Sequence, residues 1–327
     1  MRKSKRTYST KAYPKKRYLD RQPMRIQARK DSPAERAYYK RSALPGVVWP
    51  MPKAIAPGIG PEPLEDLMFH GGRVVPEMEF QNIYLGSPAD WVQSDIENID
   101  EAITLAMRDR RLNNTMAQYF PGRTLTCDPR ESFMLNAPKP RQLDEPDVHA
   151  AIIGLFDNDP RLKKTDLGTT LFNLVLPRGT VLRLRESSSL NGLGGYHGSV
   201  HIRRNNRQVT LYYSANVFSE IMPTGRQNGI AVFDQPWKNV VGTLYHELME
   251  FRTDPDVLDA INNGSNDFLG WTSRTGRECG DQPIFVAEPL NLVFKEVTAG
   301  AQNKRVPVQF MYSNAVHGAE GPIDEPH

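Results

Sequence analysis

The sequence predicts a mixed α/β fold of the α+β class, in which a twisted sheet packs against helices. Two β-rich runs, residues 80–85 (FQNIYL) and 171–176 (LFNLVL), each end at a glycine or a proline. Two further runs, 200–202 and 209–213, flank a polar turn and predict a hairpin. Because these strands alternate irregularly with helical segments, the pattern disfavours a doubly wound parallel sheet.

Three helices are predicted between and after these strands. The first starts near residue 91 and ends before 119–122, and the second covers 145–157. The third covers 236–252, with Asp234 as its predicted N-cap and Pro236 in its first turn. Its apolar face is built from Val240, Val241, Leu244, Leu248 and Met249.

Composition excludes several classes of protein. The mean hydropathy of the 327 residues is -0.53, and no apolar run approaches the roughly 18 to 20 residues that a bilayer-spanning helix needs. The two cysteines, Cys127 and Cys279, exclude a disulfide scaffold because they can form one bridge at most. No apolar segment follows the basic N-terminus, so the sequence predicts no secretory signal and leaves the compartment open.

Charge divides the chain into an arm and a body. Residues 1–42 hold 15 Lys and Arg against three acids, and the remaining residues carry net charge -9. We expect a disordered arm that can bind polyanions weakly, dock on its own acidic body or stay solvated. Residues 43–67 are rich in proline and glycine and read as a linker. The folded domain is predicted at 68–327.

The most informative pattern is H-E-x-x-E on the third helix. His246 and Glu250 lie one turn apart on the same side, so both can bind one metal ion. Gly242 lies one turn earlier, and its missing side chain is predicted to leave room for the imidazole. Glu247 points about a quarter turn away, as the general base does in H-E-x-x-H zincins. An open zinc site keeps three protein ligands and one water.

A third protein ligand must come from elsewhere. Asp254 continues the same ridge, but Pro255 bends the chain there, so Asp254 is either a cap or a ligand. Glu278 and Asp281 lie three residues apart and can bring a carboxylate back over the helix. The short pattern alone also occurs on exposed helices whose acids only face water.

A wider resemblance adds to this pattern. Residues 245–256 (YHELMEFRTDPD), a following Gly-Trp and residues 276–281 (GRECGD) resemble the HELxExxTDP, GW and ExGD series of bacterial zincin-like proteins similar to the EXORDIUM, or phosphate-induced protein, family. The resemblance spans residues 69–315. It implies a metzincin-like sheet packed on the motif helix and a metal site more than it implies catalysis, and members of the family are usually secreted. Further matching segments are 69–86, 171–180, 194–199 and 308–315.

Two residues outside the helix are candidates for a pocket. His197 is flanked by glycines in GGYHGS and either lines a pocket with Asp254 or forms loop hydrogen bonds. Tyr196 can supply an oxyanion donor, although a tyrosine at a sheet edge is more often part of the core.

Two functions follow. The first is a zinc-dependent metallohydrolase, a peptidase acting on peptides or proteins, in which His246 and Glu250 bind the metal with Glu278 or Asp281 and Glu247 activates the metal-bound water. The alternative is a non-catalytic metal-containing protein that binds carbohydrate or cell-envelope material. With several carboxylates present, Ca²⁺ competes with Zn²⁺ as the ion.

Overall fold

The computed structural model describes residues 55–327, so the predicted arm over 1–42 lies outside the described residues. The α-helices are α1 (Gln93–Arg108), α2 (Arg110–Met116), α3 (Glu145–Asn158), α4 (Pro236–Thr253), α5 (Val257–Asn263) and α6 (Asp281–Val286). The strands are β1 (Met68–Phe69), β2 (Glu77–Gly86), β3 (Thr126–Pro129), β4 (Phe133–Asn136), β5 (Gln142–Leu143), β6 (Thr170–Val175), β7 (Val181–Leu184), β8 (Ser187–Ser188), β9 (Gly195–Arg204), β10 (Arg207–Asn216), β11 (Glu220–Ile221), β12 (Gln227–Asn228), β13 (Trp271–Thr272), β14 (Phe294–Ala299), β15 (Lys304–Gln309), β16 (Met311–Ser313) and β17 (Gly318–Glu320).

The central sheet confirms the mixed α/β prediction. Its order is β3-β2-β6-β10-β9, and β4 also pairs with β2. All its pairs are parallel except the antiparallel hairpin of β9 and β10 at one edge. Asn205 and Asn206 make the hairpin turn with φ of 49° and 59°, the left-handed conformation that a two-residue hairpin needs.

Both faces of this sheet are buried, which explains why its strands are apolar runs rather than strict alternations. Along β2, Phe80 and Tyr84 face one core with helices α1 and α4, and Ile83 and Leu85 face another core with α3. The sheet therefore lies between two helical layers, and α4 belongs to one of them.

Helix α4 matches its predicted bounds to within one residue but not its predicted cap. Gln235 is the N-cap and makes no capping hydrogen bond. Asp234 is not the cap, and its carboxylate forms a 2.8 Å ion pair with Lys238. At the other end Asp254 is the C-cap, directly before Pro255.

The folded part begins earlier than the predicted boundary at residue 68. Ile55 forms a β-bridge with Glu320, and Ala56 and Ile59 are buried in a small core with Ala319. The segment turns at Gly58, where φ is 86°, and packs along the C-terminal strands, with the Ala56 amide donating to the Ala319 carbonyl at 2.9 Å. No helix formed by residues 55–327 is long and apolar enough to cross a membrane.

Candidate metal centre

Seven titratable side chains from three parts of the fold converge beneath helix α4. The helix and its C-cap contribute four, strand β9 contributes one, and the segment entering α6 contributes two. Each of the seven is 0% exposed, although acids and histidines are rarely buried without partners. The seven are His197, His246, Glu247, Glu250, Asp254, Glu278 and Asp281.

The first donor set contains His246, Glu250 and Asp281. One ligand atom from each lies within 4.8 Å of the other two, and His246 Nε2 is 3.0 Å from Glu250 Oε1. The one-turn spacing of His246 and Glu250 produces this contact. Of the three candidates for the third ligand, Asp281 is the one that the structure places here.

A second donor set lies beside the first and shares Glu250. His197 Nδ1 is 3.3 Å from Glu247 Oε2 and 3.7 Å from Glu250 Oε2, and the three residues meet the same 4.8 Å criterion. His197 lies in a strand rather than a loop. Glycines around it let β9 approach its neighbours closely, since a Cβ at Gly198 would lie 2.1 Å from Leu258 Cδ1.

In each histidine, the ring nitrogen that does not face Glu250 makes a hydrogen bond that fixes the ring. His246 Nδ1 is 2.8 Å from Gln309 Oε1, while Gln309 Nε2 donates to the Gly280 carbonyl at 2.6 Å. Because a carbonyl only accepts, the Gln309 amide must present its oxygen to His246, which then donates from Nδ1 and keeps the lone pair on Nε2. His197 Nε2 likewise donates to the Asp254 carbonyl at 3.1 Å. Second contacts of this kind orient metal-binding imidazoles.

Space for the His246 ring comes from Gly280, and the prediction that Gly242 supplies it is wrong. A Cβ at Gly280 would lie 2.4 Å from His246 Nδ1 and 2.9 Å from Glu250 Oε1. At Gly242 a Cβ would meet Phe294 at 3.1 Å instead. The Gly280 amide also donates to Glu250 Oε1 at 3.2 Å.

The centre holds far more negative than positive charge. Among residues 55–327, the only Lys, Arg or His nitrogens within 4.0 Å of its five carboxylates belong to His197 and His246. Burial raises the pKa of four of the acids well above the usual value, and neighbouring carboxylates add to this effect. The four are Glu250, Asp254, Glu278 and Asp281.

The pKa of His197 has two opposing causes. Burial lowers it, but the hydrogen bond and charge of Glu247, with the charge of Glu250, outweigh burial and raise the pKa overall. The environment of this imidazole therefore favours a positive charge at its position.

Several polar atoms of the centre have no hydrogen-bond partner among residues 55–327, which is rare for buried groups. They are His246 Nε2, Glu247 Oε1, Glu250 Oε2, Asp254 Oδ2, both carboxylate oxygens of Glu278, and Asp281 Oδ1.

The remaining predicted site residues fall outside both donor sets. Asp254 caps α4, orients His197 through its carbonyl and accepts from the Gly270 amide at 2.9 Å through Oδ1. Glu278 Oε1 lies 3.7 Å from His197 Nε2. Tyr196 points to the opposite face of β9, where its ring is 6.0 Å from that of Tyr213, so it is part of the core and not of the centre.

No family model, curated protein or solved structure matches this chain. The resemblance to EXORDIUM-like proteins therefore stays a prediction.

Proposed function

We propose that this chain is a metalloprotein that binds Zn²⁺ through His246 Nε2, Glu250 and Asp281. One observation carries the proposal: the lone pair of His246 is fixed on Nε2 by Gln309, and that atom faces Glu250 without a hydrogen-bond partner. An imidazole nitrogen in the set favours a transition metal over Ca²⁺, which takes oxygen ligands.

The unpartnered atoms also fit a cation. Each buried polar atom without a partner costs about 1 to 3 kcal/mol, and more if it is charged. In the first set His246 Nε2, Glu250 Oε2 and Asp281 Oδ1 are in this state. A divalent cation would satisfy them together.

Elemental analysis tests the zinc site. Purified protein equilibrated with Zn²⁺ and passed through a desalting column should keep at least one equivalent, whereas His246→Ala should lose the equivalent held by this set. His201→Ala is the matched control, because His201 lies on β9 outside the centre and pairs with Asp259 at 2.7 Å. Wild-type protein without zinc, or His246→Ala with an unchanged content, would contradict the proposal.

We further propose that the centre is that of a metallohydrolase, a peptidase of zincin-like fold. Bound Zn²⁺ held by three protein ligands lowers the pKa of its water to about 7. Glu247 lies next to His246, and its Oε1 has no partner while its Oε2 contacts His197. Oε1 is therefore the atom that takes up a proton, a contribution on the order of 100- to 10,000-fold in rate.

The variant Glu247→Gln tests this role. It should retain at least one equivalent of zinc and cleave a peptide library at least about 100-fold more slowly than wild type. Glu79→Gln is a suitable control, since Glu79 lies on strand β2 outside the centre and pairs with Arg130 at 2.7 Å. An unchanged rate in Glu247→Gln would falsify the assignment.

The complete burial of all seven side chains disfavours catalysis and leaves the alternative proposal, a metal-containing protein that binds carbohydrate or cell-envelope material without catalysis. In this conformation a peptide cannot reach the donors. A zinc-loaded protein that cleaves no member of the library but binds a glycan array would establish this alternative over the hydrolase.

A further inference from the structure

We propose that the centre is built for two divalent cations that share the Glu250 carboxylate, with His197 and Glu247 holding the second one. This inference rests on the proposed function, because it takes the set of His246, Glu250 and Asp281 as the site of the first cation.

The two oxygens of Glu250 serve different histidines. Oε1 is 3.0 Å from His246 Nε2, and Oε2 is 3.7 Å from His197 Nδ1. Oε2 is also buried without a hydrogen-bond partner. A carboxylate that turns one oxygen toward each of two imidazoles has the arrangement of a bridging ligand, and paired metal ions in hydrolytic sites lie about 3.5 to 4 Å apart.

His197 presents a nitrogen lone pair to this second position. Its Nε2 donates to the Asp254 carbonyl, which can only accept, so a neutral His197 ring carries its lone pair on Nδ1. Nδ1 faces Glu247 Oε2 at 3.3 Å. With Oε2 directed to the cation, Glu247 Oε1 remains free as the proton acceptor.

Charge supports two cations over one. Metal ligands bind in their deprotonated forms. With all five carboxylates ionised and both imidazoles neutral, the buried centre would carry a formal charge of -5. One divalent cation leaves -3 and two leave -1, and isolated buried charge is costly. Glu278 lies close to His197, and neither of its carboxylate oxygens has a hydrogen-bond partner among residues 55–327. A cation in the second position would therefore lie near two further oxygens without partners.

A proton on His197 Nδ1 is the competing occupant. It would make His197 an imidazolium that donates to Glu247, and the second position would then hold no metal. The two occupants predict different zinc stoichiometries.

Metal-free wild-type protein titrated with Zn²⁺, and analysed for metal after desalting, should bind two equivalents. His197→Ala and Glu247→Gln should each bind one, and His201→Ala should bind two. If His197→Ala does not fold, Glu247→Gln carries the test alone. Loading with Mn²⁺ should give an exchange-coupled paramagnetic resonance spectrum in wild type and an uncoupled one in the two centre variants.

The outcomes separate the two proposals. One equivalent in wild type that His197→Ala leaves unchanged, with no coupling between Mn²⁺ ions, overturns the second site and leaves the zinc protein standing. No bound zinc in wild type overturns both.

Discussion

Helix α4 buries two charged regions only two residues apart and treats them in opposite ways. Arg252 is fully buried, and its Nη1 donates to Asn113 Oδ1 at 3.0 Å and its Nη2 to the Thr126 carbonyl at 3.1 Å. Its Nε faces Met78 Sδ at 3.4 Å. Glu250, one half-turn earlier, has an oxygen with no hydrogen-bond partner.

Arg252 shows that this fold can supply hydrogen-bond partners to a buried charge from its own residues. A guanidinium is always charged and takes no ligand, so neutral acceptors surround Arg252. Each acid around Glu250 keeps at least one carboxylate oxygen without a donor among residues 55–327, although the same helix layer covers them. These oxygens without donors are the basis of the proposal that the centre binds cations.

The largest effect is expected for Arg252→Ala. Loss of a fully buried side chain and of its hydrogen bonds should lower the free energy of unfolding by about 4 kcal/mol. The loss should be equal in metal-free and zinc-loaded protein, since Arg252 belongs to neither donor set. Arg108→Ala, which removes a half-exposed partner of Asp128, should change stability by less than about 0.5 kcal/mol. Denaturant titration measures the free energy of unfolding of both variants. A loss at Arg252→Ala that differs between metal-free and zinc-loaded protein would contradict the separation of Arg252 from the metal centre.

Gly280→Ala should disturb the proposed metal centre around His246 and Glu250. The added Cβ would lie 2.4 Å from His246 Nδ1, so the ring must move, at a cost of about 1 to 3 kcal/mol. Zinc binding should fall with it. Gly154→Ala adds a methyl in open space on helix α3 and should instead stabilise the protein by about 0.5 to 1 kcal/mol. Normal zinc affinity in Gly280→Ala would show that the ring position is unimportant.

Variants of Gln309 test whether its hydrogen bond with His246 Nδ1 orients the imidazole for zinc binding. Gln309→Met removes the acceptor for Nδ1 and should weaken zinc binding about 10- to 100-fold, equivalent to roughly 1.4 to 2.7 kcal/mol. Gln309→Glu keeps an acceptor for Nδ1 but loses the donor to the Gly280 carbonyl, so its affinity should lie between those of wild type and Gln309→Met. Competition with a zinc chelator measures both variants. If wild type and Gln309→Met bind zinc with equal affinity, Gln309 contributes packing only and does not orient His246.

The smallest effect is expected for Glu278→Gln, and it should be a gain. Burial, and then neighbouring carboxylates, raise the pKa of Glu278 above its usual 4.5. A raised pKa means that metal-free protein loses stability as pH increases from about 4.5 through the folded-state value. The neutral amide should remove this loss and stabilise metal-free protein by about 1 kcal/mol at pH 8.

Glu79→Gln is the control of opposite sign for Glu278→Gln. It breaks the ion pair with Arg130 and should cost up to about 1 kcal/mol. Thermal unfolding at pH 5 and pH 8 measures both variants. A destabilised Glu278→Gln in metal-free protein would mean that this carboxylate has a partner after all.

Local patterns predict strands β2, β6, β9 and β10, helices α1, α3 and α4, and the part of the centre that lies on one helix, but not the remaining strands and helices. The spacing of His246 and Glu250 is fixed by helical geometry, so their convergence follows from the sequence. Asp281 was one of three open candidates, because a residue after a turn has no fixed direction. His197 was recognised only as a possible pocket residue.

The supporting residues could not be found in this way. Gln309 lies 63 positions from His246, and no local period links them. The role of Gly280 depends on how the segment entering α6 crosses the helix. Asp234 is not the cap that its position predicts, because the helix begins one residue later, with Gln235 as its N-cap.

Anomalous scattering at the zinc absorption edge, from crystals grown with Zn²⁺, would locate the metal itself. We expect a peak bonded to His246 Nε2, Glu250 and Asp281. An interpretable map with no zinc peak there, and with ordered waters hydrogen-bonded to these acids instead, would contradict the zinc proposal.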